Sequence, residues 1–134
     1  MIRGVFCASA TPVNADLSPD LGALAAHART LIADGCDGIA LLGTTGEANS
    51  FSLTERKTIL EAAANAVGAD RLMPGTGVNA LPETVELTRH ALSLGVTRVV
   101  MLPPSYYKGV SDEGLFRAYA QVIETVSDNR LQVV

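Results

Sequence analysis

The sequence is poor in the residues that most metal-binding and nucleic-acid-binding proteins use. Its 134 residues include two cysteines, no tryptophan and only ten lysines and arginines, and the formal net charge is −4. Cys7 and Cys36 have neither Cys-x-x-Cys spacing nor further ligands nearby, which argues against a metal site and favours reduced, buried thiols. The acidic balance argues against a nucleic-acid partner, because phosphate contacts need clustered basic side chains.

Long hydrophobic runs are also absent. No stretch approaches the roughly 18 apolar residues that a membrane-spanning helix needs, and the N-terminus has no signal-peptide pattern. We therefore expect no membrane partner and a cytoplasmic location. Hydrophobic residues nevertheless make up 48% of the chain, which is enough for residues 1–134 to bury one sizeable core as a single globular unit.

The chain is organised as four strand-then-helix units followed by the start of a fifth strand. Short apolar segments predict strands at 5–10, 38–42, 72–73, 98–102 and from 131. Helices are expected after each of the first four, beginning at Ser18, at Ser52, near Leu81 and near Ser111. For the first helix we predict Ser18 as N-cap with Pro19 at the first helical position, and for the second a capping box of Ser52 and Glu55.

Strands this apolar indicate a parallel sheet buried on both faces, and hence an α/β fold. Two architectures remain: an open doubly wound sheet, and a (β/α)8 TIM barrel of which residues 1–134 would supply about the N-terminal half. Polar and glycine residues follow the strand ends at Thr11, 43–47, 75–77 and 103–107. In a barrel these four exits would converge on one mouth.

The segment Gly43-Thr44-Thr45-Gly46-Glu47 follows an apolar strand and precedes a well-capped helix. Successive N–H groups in a glycine-bounded turn form a concave cluster of donors, a nest, that suits an anion. The segment therefore predicts a site for a small carboxylate, although a plain strand-to-helix turn is the alternative.

The segment from Gly75 to Ala80 matches the dinucleotide fingerprint G-x-G-x-x-A. That fingerprint needs an acidic residue about 20 positions later to bind the ribose. The next strand ends instead in Met101-Leu102-Pro103. We therefore interpret 75–77 as a backbone-permissive floor beside the pocket and not as a nucleotide site.

Taken together, five segments carry a family resemblance. They are 10–13 (ATPV), 43–47 (GTTGE), 75–79 (GTGVN), 105–107 (SYY) and 111–115 (SDEGL). In order and spacing the chain resembles the dihydrodipicolinate synthase / N-acetylneuraminate lyase family, the pyruvate-dependent class I aldolases built on (β/α)8 barrels. The resemblance covers the whole chain.

The resemblance implies a Schiff base between pyruvate and a lysine of the sixth strand, with no metal and no other cofactor. It assigns the N–H groups of Thr44 and Thr45 to the pyruvate carboxylate, with Gly43 and Thr11 as further substrate-binding positions. It assigns the hydroxyl of Thr44 to a proton relay with Tyr107, which would reach across from a neighbouring subunit. A homo-oligomer, a dimer or a tetramer, is therefore expected.

Two further positions are weaker candidates. Tyr106 is either a second site tyrosine or a packing residue, and Glu47 is more plausible at the entry of the helix than as an acid catalyst. Lys57 and Lys108 cannot replace the imine lysine, because one is on an outer helix and the other in a loop. Residues 1–134 by themselves are therefore predicted to be inactive.

The substrate other than pyruvate is an aldehyde whose identity the sequence leaves open. The stretch before Tyr107, Pro103-Pro104-Ser105-Tyr106, looks closer to the sugar-acid aldolases of the family, such as N-acetylneuraminate or 2-keto-3-deoxygluconate aldolase, than to its lysine-pathway synthases. An alternative of another class is a non-catalytic half-barrel that binds a carboxylate without forming an imine.

Overall fold

A computed structural model describes residues 3–134. The strands are β1 (Phe6–Ala8), β2 (Gly38–Ala40), β3 (Arg98–Val99) and β4 (Gln132–Val133). The α-helices are α1 (Leu21–Ala33), α2 (Leu53–Val67), α3 (Leu81–Ser93) and α4 (Asp112–Val126), and short 3₁₀ turns occupy Ala48–Ser50 and Ala69–Arg71. The strand-then-helix order is the predicted one, with strands shorter than the apolar segments that indicated them.

The strands pair in parallel. β1 pairs with β2 and β3 with β4, and the segment 72–75 joins the two pairs through single bridges from Leu72 to Ile39 and from Gly75 to Val100. The predicted third strand is thus present as this connecting segment. Because all these pairings are parallel, the carboxyl ends of the strands share one edge, where we expected the site.

Helices cover the outer face of the sheet. α1 packs against α2, and α3 packs against α4. The core between helices and sheet contains fully buried aliphatic side chains from every layer, including Leu24, Ile39, Ile59, Leu72 and Val99. Each such side chain contributes about 1.5–3 kcal/mol through its removal from water, so the sheet edge that carries the site is held by a well-packed base.

The start of α1 differs from the sequence prediction. The N-cap is Asp20, whose Oδ1 accepts a hydrogen bond from the N–H of Ala23 at 2.9 Å, and the helix begins at Leu21. Ser18 instead donates its hydroxyl proton to Asp16 at 2.6 Å, which lowers the pKa of that carboxyl. Both residues are good caps, and tertiary contacts decide between them, because the N–H of Asp20 donates to the carbonyl of Pro12.

The predicted capping box of α2 is confirmed, and α4 starts at the predicted place. Ser52 and Glu55 form the reciprocal capping box of α2, and the hydrogen bonds from Ser52 lower the pKa of Glu55. Ser111 caps α4 by accepting from the N–H of Gly114 at 3.1 Å. These caps fix the direction in which each helix leaves the strand exit before it.

The two cysteines are free, as predicted, but each is only partly buried. Cys7 lies on β1, whose second edge has no strand beside it among residues 3–134. This open edge explains the partial exposure of Cys7, whereas Cys36 lies in the connection between α1 and β2. None of the helices in the described part of the chain is both long and apolar enough to cross a bilayer.

Candidate active site

A cavity of about 250 Å³ opens at the carboxyl edge of the sheet. Its walls are built by residues from 42–50, by Gly75 and Gly77, and by Val100 and Leu102. Two of the four predicted strand exits, 43–47 and 75–77, therefore meet at this mouth, beside the end of the predicted fourth strand. Gly43, Thr44 and Glu47, from the segment in which the sequence predicts a carboxylate site, line it.

The segment 43–47 forms a turn with unused donors. The N–H of Glu47 donates to the carbonyl of Thr44 at 3.1 Å, and that of Ala48 donates to the carbonyl of Gly43 at 3.3 Å. The N–H groups of residues 43–46 donate to no other atom of residues 3–134. Leu42 and Glu47 bracket the turn in left-handed backbone conformations, with φ of 55° and 50°. Consecutive unused donors in a turn can bind a carboxylate, and Gly43 and Thr44, which carry two of them, line the cavity.

Thr11 and Gly46 hold this turn in place. The hydroxyl of Thr11 donates to the carbonyl of Gly46 at 2.8 Å. A Cβ at Gly46 would come within 2.9 Å of both the Leu42 nitrogen and the Ser9 carbonyl oxygen, so the turn packs against the end of β1. The first strand exit thus supports the site from behind. Direct contact between Thr11 and substrate stays a prediction.

Gly75 and Gly77 allow the backbone of their own segment to approach the backbones at Leu42 and Leu102 closely. A Cβ at Gly75 would lie 2.1 Å from the Leu42 carbonyl oxygen, and one at Gly77 would lie 2.3 Å from that of Leu102. Both glycines line the cavity. Their placement agrees with the interpretation of this segment as a permissive floor of the pocket.

The tyrosine loop lies outside the cavity walls. Tyr106 and Tyr107 are 75% and 66% exposed, with ring centroids 5.4 Å apart and planes nearly perpendicular. The structure therefore does not bring Tyr107 to Thr44 within one chain. That separation is compatible with the expected contact from a neighbouring subunit, which stays a prediction. Thr45 is exposed beside the cavity without lining it.

The sequence analysis missed Asn79, which anchors the tyrosine loop. Its Oδ1 accepts hydrogen bonds from the N–H of Ser105 at 2.8 Å and from that of Tyr106 at 3.1 Å. Lys108 adds a bond from its Nζ to the carbonyl of Ser105 at 2.8 Å. Asn79 stands within one of the segments that carry the resemblance, but its partners are 26 and 27 residues away, and no local pattern shows them.

We expect Asn79→Ala to loosen this loop, because two backbone donors lose their shared acceptor. Amide hydrogen exchange at Ser105 and Tyr106 should accelerate by about tenfold, while exchange in α2 stays unchanged. Asn79→Asp, which keeps an acceptor oxygen, is the matched control and should retain slow exchange. Equal acceleration in both variants would contradict the role of Oδ1.

Neither lysine of the chain reaches the cavity. Lys57, on α2, pairs with Glu86 of α3, and Lys108 bonds within its own loop. No group of three potential metal ligands exists among residues 3–134. The residues that line the cavity therefore offer as donors backbone N–H groups, hydroxyls and the side-chain amide of Asn49.

The segments 43–47, 75–79 and 105–107 thus occupy one edge of a parallel sheet, and comparison with known proteins agrees with this arrangement. The family model described as "Dihydrodipicolinate synthetase family" matches residues 1–133. The chain belongs to this family. A DapA-like lyase of Thermococcus onnurineus is 40% identical over 123 residues, covering 92% of this chain and 42% of the relative. A 4-hydroxy-tetrahydrodipicolinate synthase of a Synechococcus species is 39% identical over 121 residues, covering 87% of this chain and 40% of the relative.

Solved structures confirm the fold. Dihydrodipicolinate synthase from Agrobacterium tumefaciens superposes with a TM-score of 0.90 at 34% identity, over 97% of this chain and 46% of that one. YagE, a prophage protein of the family from E. coli K12 solved in complex with pyruvate, gives 0.86 at 35% identity, over 97% and 43%. These neighbours are (β/α)8 barrels, so the barrel prediction is confirmed over the doubly wound alternative. The chain spans about two fifths of the length of the curated relatives that it matches.

Proposed function

We propose that this chain provides the carboxylate-binding part of a pyruvate-dependent Schiff-base lyase or aldolase. The observation that carries the proposal is the set of unused N–H groups at 43–46, in a turn of which Gly43 and Thr44 line the 250 Å³ cavity. Pyruvate has one carboxylate of the size that such a nest binds. The pyruvate complex of YagE, 35% identical to this chain, supports the same ligand.

In this proposal the backbone of the turn binds the substrate, and side-chain hydroxyls transfer a proton. The N–H groups of Gly43, Thr44 and Thr45 hold the carboxylate, and the hydroxyl of Thr44 passes a proton to or from the reacting group. Tyr107 completes the relay from another copy of the chain, which requires a homo-oligomer, a dimer or a tetramer. Its high exposure supports a role at an interface.

The proposal places the imine-forming lysine outside residues 1–134. Lys57 is engaged with Glu86 on the outer helices and Lys108 with the carbonyl of Ser105. A covalent imine supplies the electron sink, so the proposed reaction needs pyruvate and an aldehyde but no metal or other cofactor.

The second substrate in this proposal is an aldehyde. The reaction forms or breaks a carbon–carbon bond between pyruvate and that aldehyde. An aldehyde that yields a sugar acid with pyruvate is the variant supported by the loop sequence before Tyr107 and by the 2-keto-3-deoxygluconate aldolase of Picrophilus torridus. That structure superposes with a TM-score of 0.90 at 26% identity, over 99% of this chain and 47% of that one. A module that binds a carboxylate without forming an imine is the alternative, and the remote positions of both lysines are compatible with it as well.

The test is reductive trapping of the natural full-length protein with pyruvate and borohydride, followed by intact-mass spectrometry. We expect one reduced pyruvyl adduct per chain. The double variant Lys57→Arg, Lys108→Arg is the control and should form the same adduct, because neither side chain is at the cavity. No adduct despite saturable pyruvate binding would support the non-catalytic module, and an adduct lost in the control would contradict the position of the imine lysine.

A further inference from the structure

Arg56 is a buried cation close to the candidate site. It lies in the first turns of α2 and is only 3% exposed. Its Nε has no hydrogen-bond partner, and no carboxylate of residues 3–134 lies within 4.0 Å of its guanidinium. Burial lowers the pKa of Arg56, and the more distant carboxylate of Glu83 partly opposes this. An unpaired buried charge costs stability, so its one strong contact needs an explanation.

That contact is to the floor of the cavity. One terminal nitrogen of the guanidinium, Nη2, donates a hydrogen bond to the carbonyl oxygen of Gly75 at 3.0 Å, and both groups are buried. Gly75 lines the cavity, whereas Arg56 does not. Arg56 therefore reaches the site through Gly75 and not by touching a bound molecule.

The carbonyl of Gly75 is available to Arg56 because the ladder beside it is interrupted. The N–H of Gly75 donates to the carbonyl of Leu41 at 2.7 Å. In a regular parallel ladder, the carbonyl of Gly75 would accept a hydrogen bond from the N–H of Gly43, two residues after Leu41 on the neighbouring segment. Leu42, with φ of 55°, turns the chain out of this register, and Gly43 donates to no atom of residues 3–134.

We propose that Arg56 is a positioning residue for the carboxylate site. Because Arg56 donates to the carbonyl of Gly75, the N–H of Gly43 remains available to the ligand. Without Arg56, the ladder register offers the Gly43 N–H as the donor for this buried carbonyl, and restoring that bond would withdraw a donor from the nest. The close approach of Gly75 to the Leu42–Gly43 backbone makes such a return a small movement. The positive charge behind the donors also favours an anion in front of them.

This inference rests on the proposed function. Loss of the Arg56 contact should weaken pyruvate binding more than it slows turnover. In the natural full-length protein, we expect Arg56→Met to raise the half-saturating pyruvate concentration for borohydride trapping by about tenfold, the loss expected for one hydrogen bond to a charged group. Arg56→Lys keeps the charge and one donor, and should raise it by about threefold. The maximal rate of trapping should change by less than about threefold in both variants, because no reacting group is removed.

Arg117→Met is the matched control, because Arg117 is an exposed arginine on α4 that, among residues 3–134, pairs only with Glu113. Its half-saturating pyruvate concentration should equal that of the wild type. Thermal melts establish which variants fold, and Arg56→Lys decides the question if Arg56→Met does not fold. A folded Arg56 variant with wild-type half-saturation, or with a loss confined to the maximal rate, would overturn the inference. Absence of any adduct in the wild type would instead overturn the proposed function.

Discussion

Replacement of Thr44 by valine is expected to lower kcat by about 100-fold, in the range that one positioned proton-transfer group contributes. Valine keeps the shape of threonine and the backbone N–H that the nest uses, and removes only the hydroxyl. Half-saturating pyruvate should therefore change by less than about threefold, because substrate binding is retained. The measurement is steady-state turnover of the full-length protein with the aldehyde that proves to be its substrate, over a range of pyruvate concentrations.

Two further variants make this prediction specific. Thr44→Ser restores a hydroxyl and should recover most of kcat. Thr54→Val makes the same chemical change at an exposed position of α2 and should leave kcat unaltered. If Thr44→Val instead raised half-saturating pyruvate with kcat unchanged, the hydroxyl would be a binding group, and the relay would need another donor.

The parts of the fold that the sequence predicted are those determined by short-range physics. The capping box of Ser52 and Glu55 depends on residues three positions apart, and it is present. At α1 two good caps, Ser18 and Asp20, stand two positions apart, and local preference favoured the wrong one. The bond from the Asp20 N–H to Pro12, which helps to fix the choice, depends on how the preceding loop folds back.

The site shows the same division between local and distant determinants. The nest at 43–47 was predictable because glycines and hydroxyls follow one another directly after a strand. Asn79 was not, since its partners come from the exit of another strand. Arg56 stands in a charged stretch that resembles an exposed helix face, yet it shares the buried stripe of Ile59, Leu60 and Ala63 at helical spacing. That periodicity was a usable signal for its burial, although the bond to Gly75, 19 residues away, was not.

Gly75→Ala is expected to destabilise the protein by about 3 kcal/mol, as overpacking does when the opposing atoms cannot move aside. The added Cβ would lie 2.1 Å from the carbonyl oxygen of Leu42, and 2.9 Å from its carbonyl carbon, both backbone atoms of the neighbouring strand exit. Relief of this clash requires the two exits to separate. Separation would disturb the nest at 43–46, so saturable pyruvate binding should be lost together with stability.

Gly43→Ala is the matched control for stability, because a Cβ there would meet no atom within 4 Å and its φ is not in the left-handed region. Its free energy of unfolding should stay within about 1 kcal/mol of the wild type. Urea unfolding of the two variants, followed by circular dichroism, measures the difference. A Gly75→Ala protein as stable as Gly43→Ala would mean that the strand exits are not in close contact. The carbonyl of Gly75 would then have no fixed place beneath the nest, and the link from Arg56 to the carboxylate site would fail with it.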